Sequence, residues 1–140
     1  MRRYAKLSQI ATVDLKQILN YLFTICDKIN IYFPNTCSNE VASFKSQFLS
    51  ATHIVENQEE LTSLEETLEE KEGFTMIIAS LTDEVKELIL TMKPNFHLDL
   101  GLIAGDKVLF YWGDQDECVI ETDEDSDLFS APLFDSFKKI

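Results

Sequence analysis

The chain has 140 residues, of which 45% are hydrophobic, and its formal net charge at pH 7 is −13. This length and this apolar fraction suit one globular domain with its own core, so we expect a single domain over residues 1–140. No apolar run approaches the roughly 18 residues that a membrane span needs, and the N-terminus lacks the apolar core of a secretory signal. We therefore expect a cytoplasmic protein with no membrane partner.

The charge is spread unevenly along the chain. Residues 1–55 carry six basic and three acidic side chains, whereas residues 56–140 carry six basic and twenty-two acidic ones. Contacts to phosphate groups need clustered Lys and Arg, so the acidic balance argues against nucleic acid as a direct partner. Two readings stay open: the acidic surface either serves solubility or attracts a basic protein partner.

The three cysteines, Cys26, Cys37 and Cys118, are an odd number and form no CxxC pair. This usage is typical of reduced intracellular thiols and predicts neither a disulfide framework nor a zinc site. Cys26 falls on the apolar stripe of a helix, where a small core residue is expected.

The N-terminal part of the chain reads as helix, strand, helix. Apolar residues recur every three or four positions over residues 13–29, which predicts an amphipathic helix with Thr12 as its N-cap. A short strand is expected over residues 29–33, and Ser38 begins a second helix. The first eleven residues form either a short strand or a tail. The inward positions of the second helix are Val41, Phe44, Phe48 and Leu49.

The middle of the chain continues the alternation. Residues 53–56 suit a short strand, and residues 58–72 suit an acidic helix with a narrow apolar stripe. Residues 74–80 are nearly all apolar, as in a strand covered on both faces. Thr82 then caps another helix, whose expected inward residues are Val85, Leu88, Ile89 and Met92.

Residues 96–122 read as three strands joined by the tight turns AGDK and GDQD, and the segment SAPLFDSFKKI reads as a final helix. Strands that alternate with helices predict right-handed parallel crossovers. We therefore expect a three-layer α/β domain with a mixed sheet: parallel crossovers come first, and an antiparallel three-strand meander over residues 96–122 and a C-terminal helix follow.

The aromatic run Phe110-Tyr111-Trp112 is the first candidate for a binding site. Alternation along a strand places Phe110 and Trp112 on one face and Tyr111 on the other. If one aromatic face is exposed, it marks an interface. We therefore predict a ligand-binding or partner-binding site that combines Phe110 and Trp112 with the acidic residues Asp99, Asp114, Asp116 and Glu117.

Catalytic and metal-binding patterns are weak by comparison. His97 and Asp99 share one face of a strand, where they either line a cleft or face water. Residues 123–127 resemble the start of an EF-hand loop, but Leu128 and Phe134 stand where glycine and a bidentate glutamate are needed. No phosphate-binding motif occurs. We expect neither a metal nor another cofactor.

The meander resembles one half-site of the phospholipase D superfamily, whose pattern is H-x-K-x4-D-x6-G-S. Asp106 and Gly113 stand at the D-x6-G spacing, while Asp99 and Gly101 occupy the His and Lys positions and Asp114 replaces Ser. The resemblance therefore implies a domain without the catalytic pair. Degenerate domains of this kind act as effector or dimerisation domains in prokaryotic transcription regulators, although this chain lacks room for their winged-helix DNA reader.

Together these patterns predict a non-catalytic regulatory domain that binds a small molecule or a protein, with a homodimer as one form of the latter. The acidic second half supports an alternative, an inhibitor or immunity-type protein that blocks a basic partner such as a toxin nuclease. A second alternative is a hydrolase that uses His97 and Asp99.

Overall fold

The structure is a computed structural model that describes residues 2–34, 38–51, 74–92, 96, 98–113, 116–123 and 126–139. Six strands form one sheet with the order β1–β6–β5–β4–β2–β3, and every hydrogen-bonded pair in it is antiparallel. The strands are β1 (Arg2–Lys6), β2 (Lys28–Pro34), β3 (Phe74–Ser80), β4 (Asp99–Ala104), β5 (Lys107–Trp112) and β6 (Glu117–Glu121). The described helices are α1 (Thr12–Ile25), α2 (Asn39–Ala51) and α3 (Asp83–Leu90).

The prediction of a three-layer α/β domain with a mixed sheet and parallel crossovers is wrong. β3 and β4 both begin beside the C-terminal end of β2, so they run in the same direction with the antiparallel β2 between them. Alternating helices and strands indicate only that the chain returns to the same end of the sheet. They do not indicate whether another strand, here β2, lies between the two strands that a helix connects.

The described helices form one layer, since α3 contacts both α1 and α2. The described helices therefore lie on one face of the sheet, an arrangement that is common for antiparallel sheets. The predicted three-strand meander is confirmed as β4, β5 and β6. It does not add strands at one end of the sheet, however, because β1 pairs with β6 and β2 pairs with β4.

The first two predicted helices and the strand between them are confirmed, with one correction to a cap. Thr12 is the first helical residue of α1 and not its N-cap, which is Ala11. Ser38 does cap α2, because its hydroxyl accepts a 3.3 Å hydrogen bond from the Val41 N–H. The undecided N-terminal residues form β1.

The predicted cap of the third described helix is also confirmed, since Thr82 accepts a hydrogen bond from the Val85 N–H. β3 occurs as predicted, but as an antiparallel strand at the end of the sheet. The expected strand over residues 53–56 and the acidic helix over residues 58–72 lie outside the described residues.

The predicted C-terminal α-helix is wrong. Two 3₁₀ turns, Leu128–Ser130 and Pro132–Phe134, take its place. The chain then turns back to β1, where Lys138 exchanges two backbone hydrogen bonds of 2.8 and 2.7 Å with Tyr4. A continuing helix would keep its backbone groups for itself, so pairing with β1 and the aromatic contact between Phe134 and Tyr21 of α1 replace it.

The core lies between the sheet and the helices. The strand side chains that face the helices are buried, and so are the inward residues of α1. Within the described part of the chain, no helix combines the length and the apolar character that would be needed to cross a membrane.

Candidate functional site

The two faces of the sheet differ in composition and exposure. We call the face away from the helices the open face. Among the described residues, no helix covers it, and its side chains follow from the strand registers. Its larger uncharged side chains are Tyr4, Asn30, Tyr32, Ile78, Ile103, Val108, Leu109, Tyr111 and Val119.

A shallow groove of about 300 Å³ crosses β1, β6 and β5 on the open face. Its floor combines two tyrosines with three aliphatic side chains, which are Tyr4, Tyr111, Val108, Leu109 and Val119. Val108 is 46% exposed, which is high for a large aliphatic side chain. Aromatic groups with a polar tip beside exposed aliphatic groups are the usual composition of a protein-binding surface.

A β-bulge helps to shape this groove. Leu102 pairs with Phe110, whereas the next residue of β4, Ile103, pairs with Val108, so Leu109 is an extra residue in β5. A bulge lets two successive side chains of one strand lie on the same face. Val108 and Leu109 therefore both line the groove.

The rim of the groove is charged and internally paired. Arg2 and Glu121 lie opposite each other on neighbouring strands, and their side chains form an ion pair of 2.9 Å. Hydrogen bonds to the side chains of Tyr4 and Glu121 raise the pKa of Arg2 further above its ordinary value, so Arg2 stays charged. The exposed Glu117 carboxylate marks the other end of the rim.

Asp116, a predicted binding residue, joins two parts of the fold. Its carboxylate accepts hydrogen bonds from the Ser8 N–H (2.8 Å) and the Ser8 hydroxyl (2.6 Å). These bonds hold the pKa of Asp116 below its ordinary value. Asp116 also has a φ of 61°, a left-handed conformation that Asp and Asn tolerate better than most residues. Its side chain thus ties the β5–β6 turn to the segment after β1.

The other predicted site residues lie in different environments. Phe110 and Trp112 face the helices and have no exposed surface, so the aromatic side chain that β5 presents on the open face is Tyr111. Asp99 is half-buried at the start of β4, also on the open face. Asp114 and His97 lie outside the described residues. The structure therefore brings Glu117 and Tyr111 to one groove and separates them from Phe110 and Trp112.

Of the eight described residues that line the groove, the predicted site included only Glu117. Tyr4 lies in the segment whose structure was left open, and Val108 and Val119 lie in strands that were correctly expected. Alternation predicts which residues of β1 share a face with Tyr4 and which residues of β6 share a face with Val119. Which of the two faces the helices cover is decided only by tertiary packing.

A larger cleft of about 610 Å³ lies between α2 and α3. Its wall combines polar side chains of α2, Ser38, Ser43 and Gln47, with the apolar Phe44 and Met92. Small-molecule sites in proteins have volumes of roughly 300–1,000 Å³ and a similar mixture of groups. The cleft can therefore hold a small organic molecule.

The two cysteines among the described residues are free and buried. Burial raises the pKa of Cys26 to about 11 and that of Cys118 to about 12. Such thiols stay protonated and are poor nucleophiles. The prediction that Cys26 is a core residue is confirmed. No cluster of three or more His, Cys, Asp or Glu side chains that could hold a metal ion occurs within the described ranges.

The residues behind the family resemblance lie at the two ends of β5. Asp106 is exposed in the turn before the strand, and Gly113 follows it directly. The resemblance to the phospholipase D half-site stays a prediction. Comparison of the chain with protein-family models, with curated proteins and with solved structures finds no match in any of the three.

Proposed function

We propose that this chain is a non-catalytic binding domain that recognises another protein through its open face. The observation that carries the proposal is the groove across β1, β6 and β5, where Tyr4 and Tyr111 lie beside the exposed Val108 and the half-buried Leu109 and Val119. Tyrosine is enriched among the residues that contribute most to protein binding, because a large rigid side chain loses little conformational entropy on contact.

The physical state of the groove also favours a protein partner over a small molecule. Its volume of about 300 Å³ lies at the lower limit of the roughly 300–1,000 Å³ range of small-molecule sites, so only a very small ligand would fit inside it. A protein can cover the groove and the paired charges at its rim together. Removing the exposed Val108 side chain from water would then contribute to the binding free energy.

Site-specific photo-crosslinking in the native host tests this proposal. A photoreactive residue in place of Val108 should form a defined protein adduct on irradiation. The matched control carries the same residue in place of Val13, an exposed valine (65%) at the start of α1. Adducts of equal yield and identity at both positions, or none at position 108, would overturn the proposal.

A second candidate function, small-molecule binding, is favoured by the 610 Å³ cleft between α2 and α3. A thermal-shift screen against a metabolite library tests it, because a ligand raises the melting temperature of the state that it binds. Ser43→Trp fills the cleft, whereas Ser46→Trp on the same helix adds an equal bulk outside it. A ligand that stabilises wild type and the Ser46 variant but not the Ser43 variant supports the cleft; a library without any such compound counts against it.

A further inference from the structure

We infer that the partner of the open face is a second copy of this chain, so that two sheets pack face to face about a two-fold axis. The inference rests on the proposed function, because it names the protein that the open face binds. Three features of the open face select a second copy over a basic protein: its charge balance, its apolar content and its size.

The charge balance of the open face differs from that of the whole chain. The strand registers place three cationic and three anionic side chains on this face, which are Arg2, Lys6, Lys28, Asp99, Glu117 and Glu121. The face is therefore neutral in a chain whose net charge is −13. A basic partner would be attracted to the acidic remainder of the surface rather than to a neutral face.

The charges of the open face are complementary to those of the same face on a second copy of the chain. A two-fold interface brings one patch against itself, so a patch with charges of both signs can place cations against anions. β1 supplies Arg2 and Lys6, and its neighbour β6 supplies Glu117 and Glu121. Contact at this neutral face thus adds nothing to the long-range repulsion between two copies of the chain, whereas contact between their acidic surfaces is opposed by further like charge.

The open face also has the composition and the size that a dimer of sheets needs. Each of the six strands supplies an aliphatic or tyrosine side chain that lies between these charges. Val108 is the most exposed aliphatic group among them. Six strands at ordinary spacing give a projected face on the order of 600 Å². Two copies packed over this face would bury on the order of 1,200 Å² in total, which is the lower end of the roughly 1,200–2,000 Å² that stable interfaces bury.

Sedimentation equilibrium on the full chain provides the main test. The wild type should form a dimer, and Val108→Glu should raise its dissociation constant by roughly tenfold or more, because it places a charge where the interface would bury an exposed apolar side chain. Val13→Glu is the matched control and should leave the dissociation constant unchanged. Circular dichroism and the melting temperature check that each variant is folded.

The effect of salt on the affinity distinguishes a second copy of the chain from a basic protein partner. Two copies that each carry −13 repel one another at long range, so added salt should tighten the dimer by screening that repulsion. A complex with a basic protein should weaken with salt. A dimer that salt dissociates would therefore overturn the inference.

Cross-linking between isotopically distinct copies keeps the inference testable if the Val108 variant fails to fold. Wild-type chains with and without ¹⁵N are mixed and treated with a carbodiimide, which joins lysine amines to nearby carboxylates. Links between Lys6 or Lys28 of one copy and Glu117 or Glu121 of the other are expected. Links between copies that fall only on helix residues would overturn the inference.

The outcomes distinguish this inference from the proposed function. A chain that stays monomeric at its highest soluble concentration, yet crosslinks through position 108 to a different protein, overturns the inference and leaves the proposed function in place. A monomer without any adduct at position 108 overturns both.

Discussion

The two faces of one sheet show how differently a strand can use successive residues. In β5, Phe110 and Trp112 point to the helices and are fully buried, while Tyr111 between them lines the groove of the open face. The helix face stabilises the fold through apolar burial. The open face retains apolar groups that the described helices do not cover, which is why we assign binding to it. A shift of one residue thus separates the side chains that stabilise the fold from those to which we assign binding.

The largest expected effect separates the two faces directly. Phe110→Ala should lower the free energy of unfolding by about 3–5 kcal/mol, because it removes a fully buried ring and leaves a cavity. Tyr111→Ala, one residue away on the open face, should lower it by only about 1 kcal/mol. Urea denaturation followed by circular dichroism measures both. Equal losses would show that the open face is packed as tightly as the helix face.

A smaller effect is expected at Gly101, where neighbouring side chains lie close to the backbone on the open face. A Cβ at this position would overlap the Asn30 side-chain oxygen and lie 3.1 Å from the Val108 Cγ1 atom. Gly101→Ala should therefore lower the free energy of unfolding by about 1–3 kcal/mol through overpacking. It should also disturb the groove, because Val108 is one of its walls.

Gly105→Ala is the comparison variant, since a Cβ there meets no atom within 4 Å but the backbone has a φ of 65°. Gly105→Ala should lower the free energy of unfolding by about 1 kcal/mol, the ordinary cost of placing alanine in the left-handed backbone conformation. Both losses are read from urea midpoints. A Gly101→Ala variant with the urea midpoint of wild type would indicate that the Asn30 side chain moves aside freely.

The contribution of Asp116 to the stability of the fold should depend on pH. Since the bonds from Ser8 lower its pKa in the folded state, its stabilising effect is present above the ordinary value of about 3.9 and is lost as the pH falls through the lower folded-state pKa. Asp116→Asn should therefore be less stable than wild type at pH 7. The difference should shrink as the solution is acidified.

Thermal melts of both proteins at pH 7 and at about pH 2.5 measure this difference. Asp123→Asn is the control. Its carboxylate forms an exposed 3.4 Å ion pair with Lys107, and a pair of this kind contributes little to stability. A difference between wild type and the Asp116 variant that stays constant with pH would contradict the role of the charge.

The smallest expected effect is a chemical one, on the helix side of the sheet. Iodoacetamide at pH 8 should leave Cys26 and Cys118 unmodified in the folded protein, because both thiols are buried and their pKa values are raised to about 11 and about 12. Mass spectrometry of tryptic peptides follows the labelling, and urea-unfolded protein is the positive control. Rapid labelling of Cys118 in the native state would mean that β6 opens readily.

Elements with local signals were predictable from the sequence. The spacing of Leu15, Ile18 and Leu22 marks the buried face of α1, and the Thr82 hydroxyl caps α3 as its position before two acids suggests. The meander follows from two short turns between strand-like runs. Each of these signals depends on residues within about four positions of one another, so no knowledge of the rest of the chain is needed.

The binding site was only half predictable. Alternation correctly separates Tyr111 from Phe110 and Trp112, but the sequence favoured the wrong pair as the exposed one in the predicted site. The role of Asp116 could not be foreseen either, because its partner Ser8 lies 108 residues away. A long-range hydrogen bond leaves no pattern in the neighbourhood of either residue.

The sequence by itself determined the three described helices, the meander and the periodicity that gives each strand two distinct faces, since these follow from local backbone and side-chain preferences. Only the tertiary structure decided that β2 lies between β3 and β4, that β1 closes the sheet beside β6, and that the C-terminal segment pairs with Tyr4. These arrangements depend on which surfaces are buried together once the chain is compact. The same packing decided that the described helices cover the face opposite Tyr111.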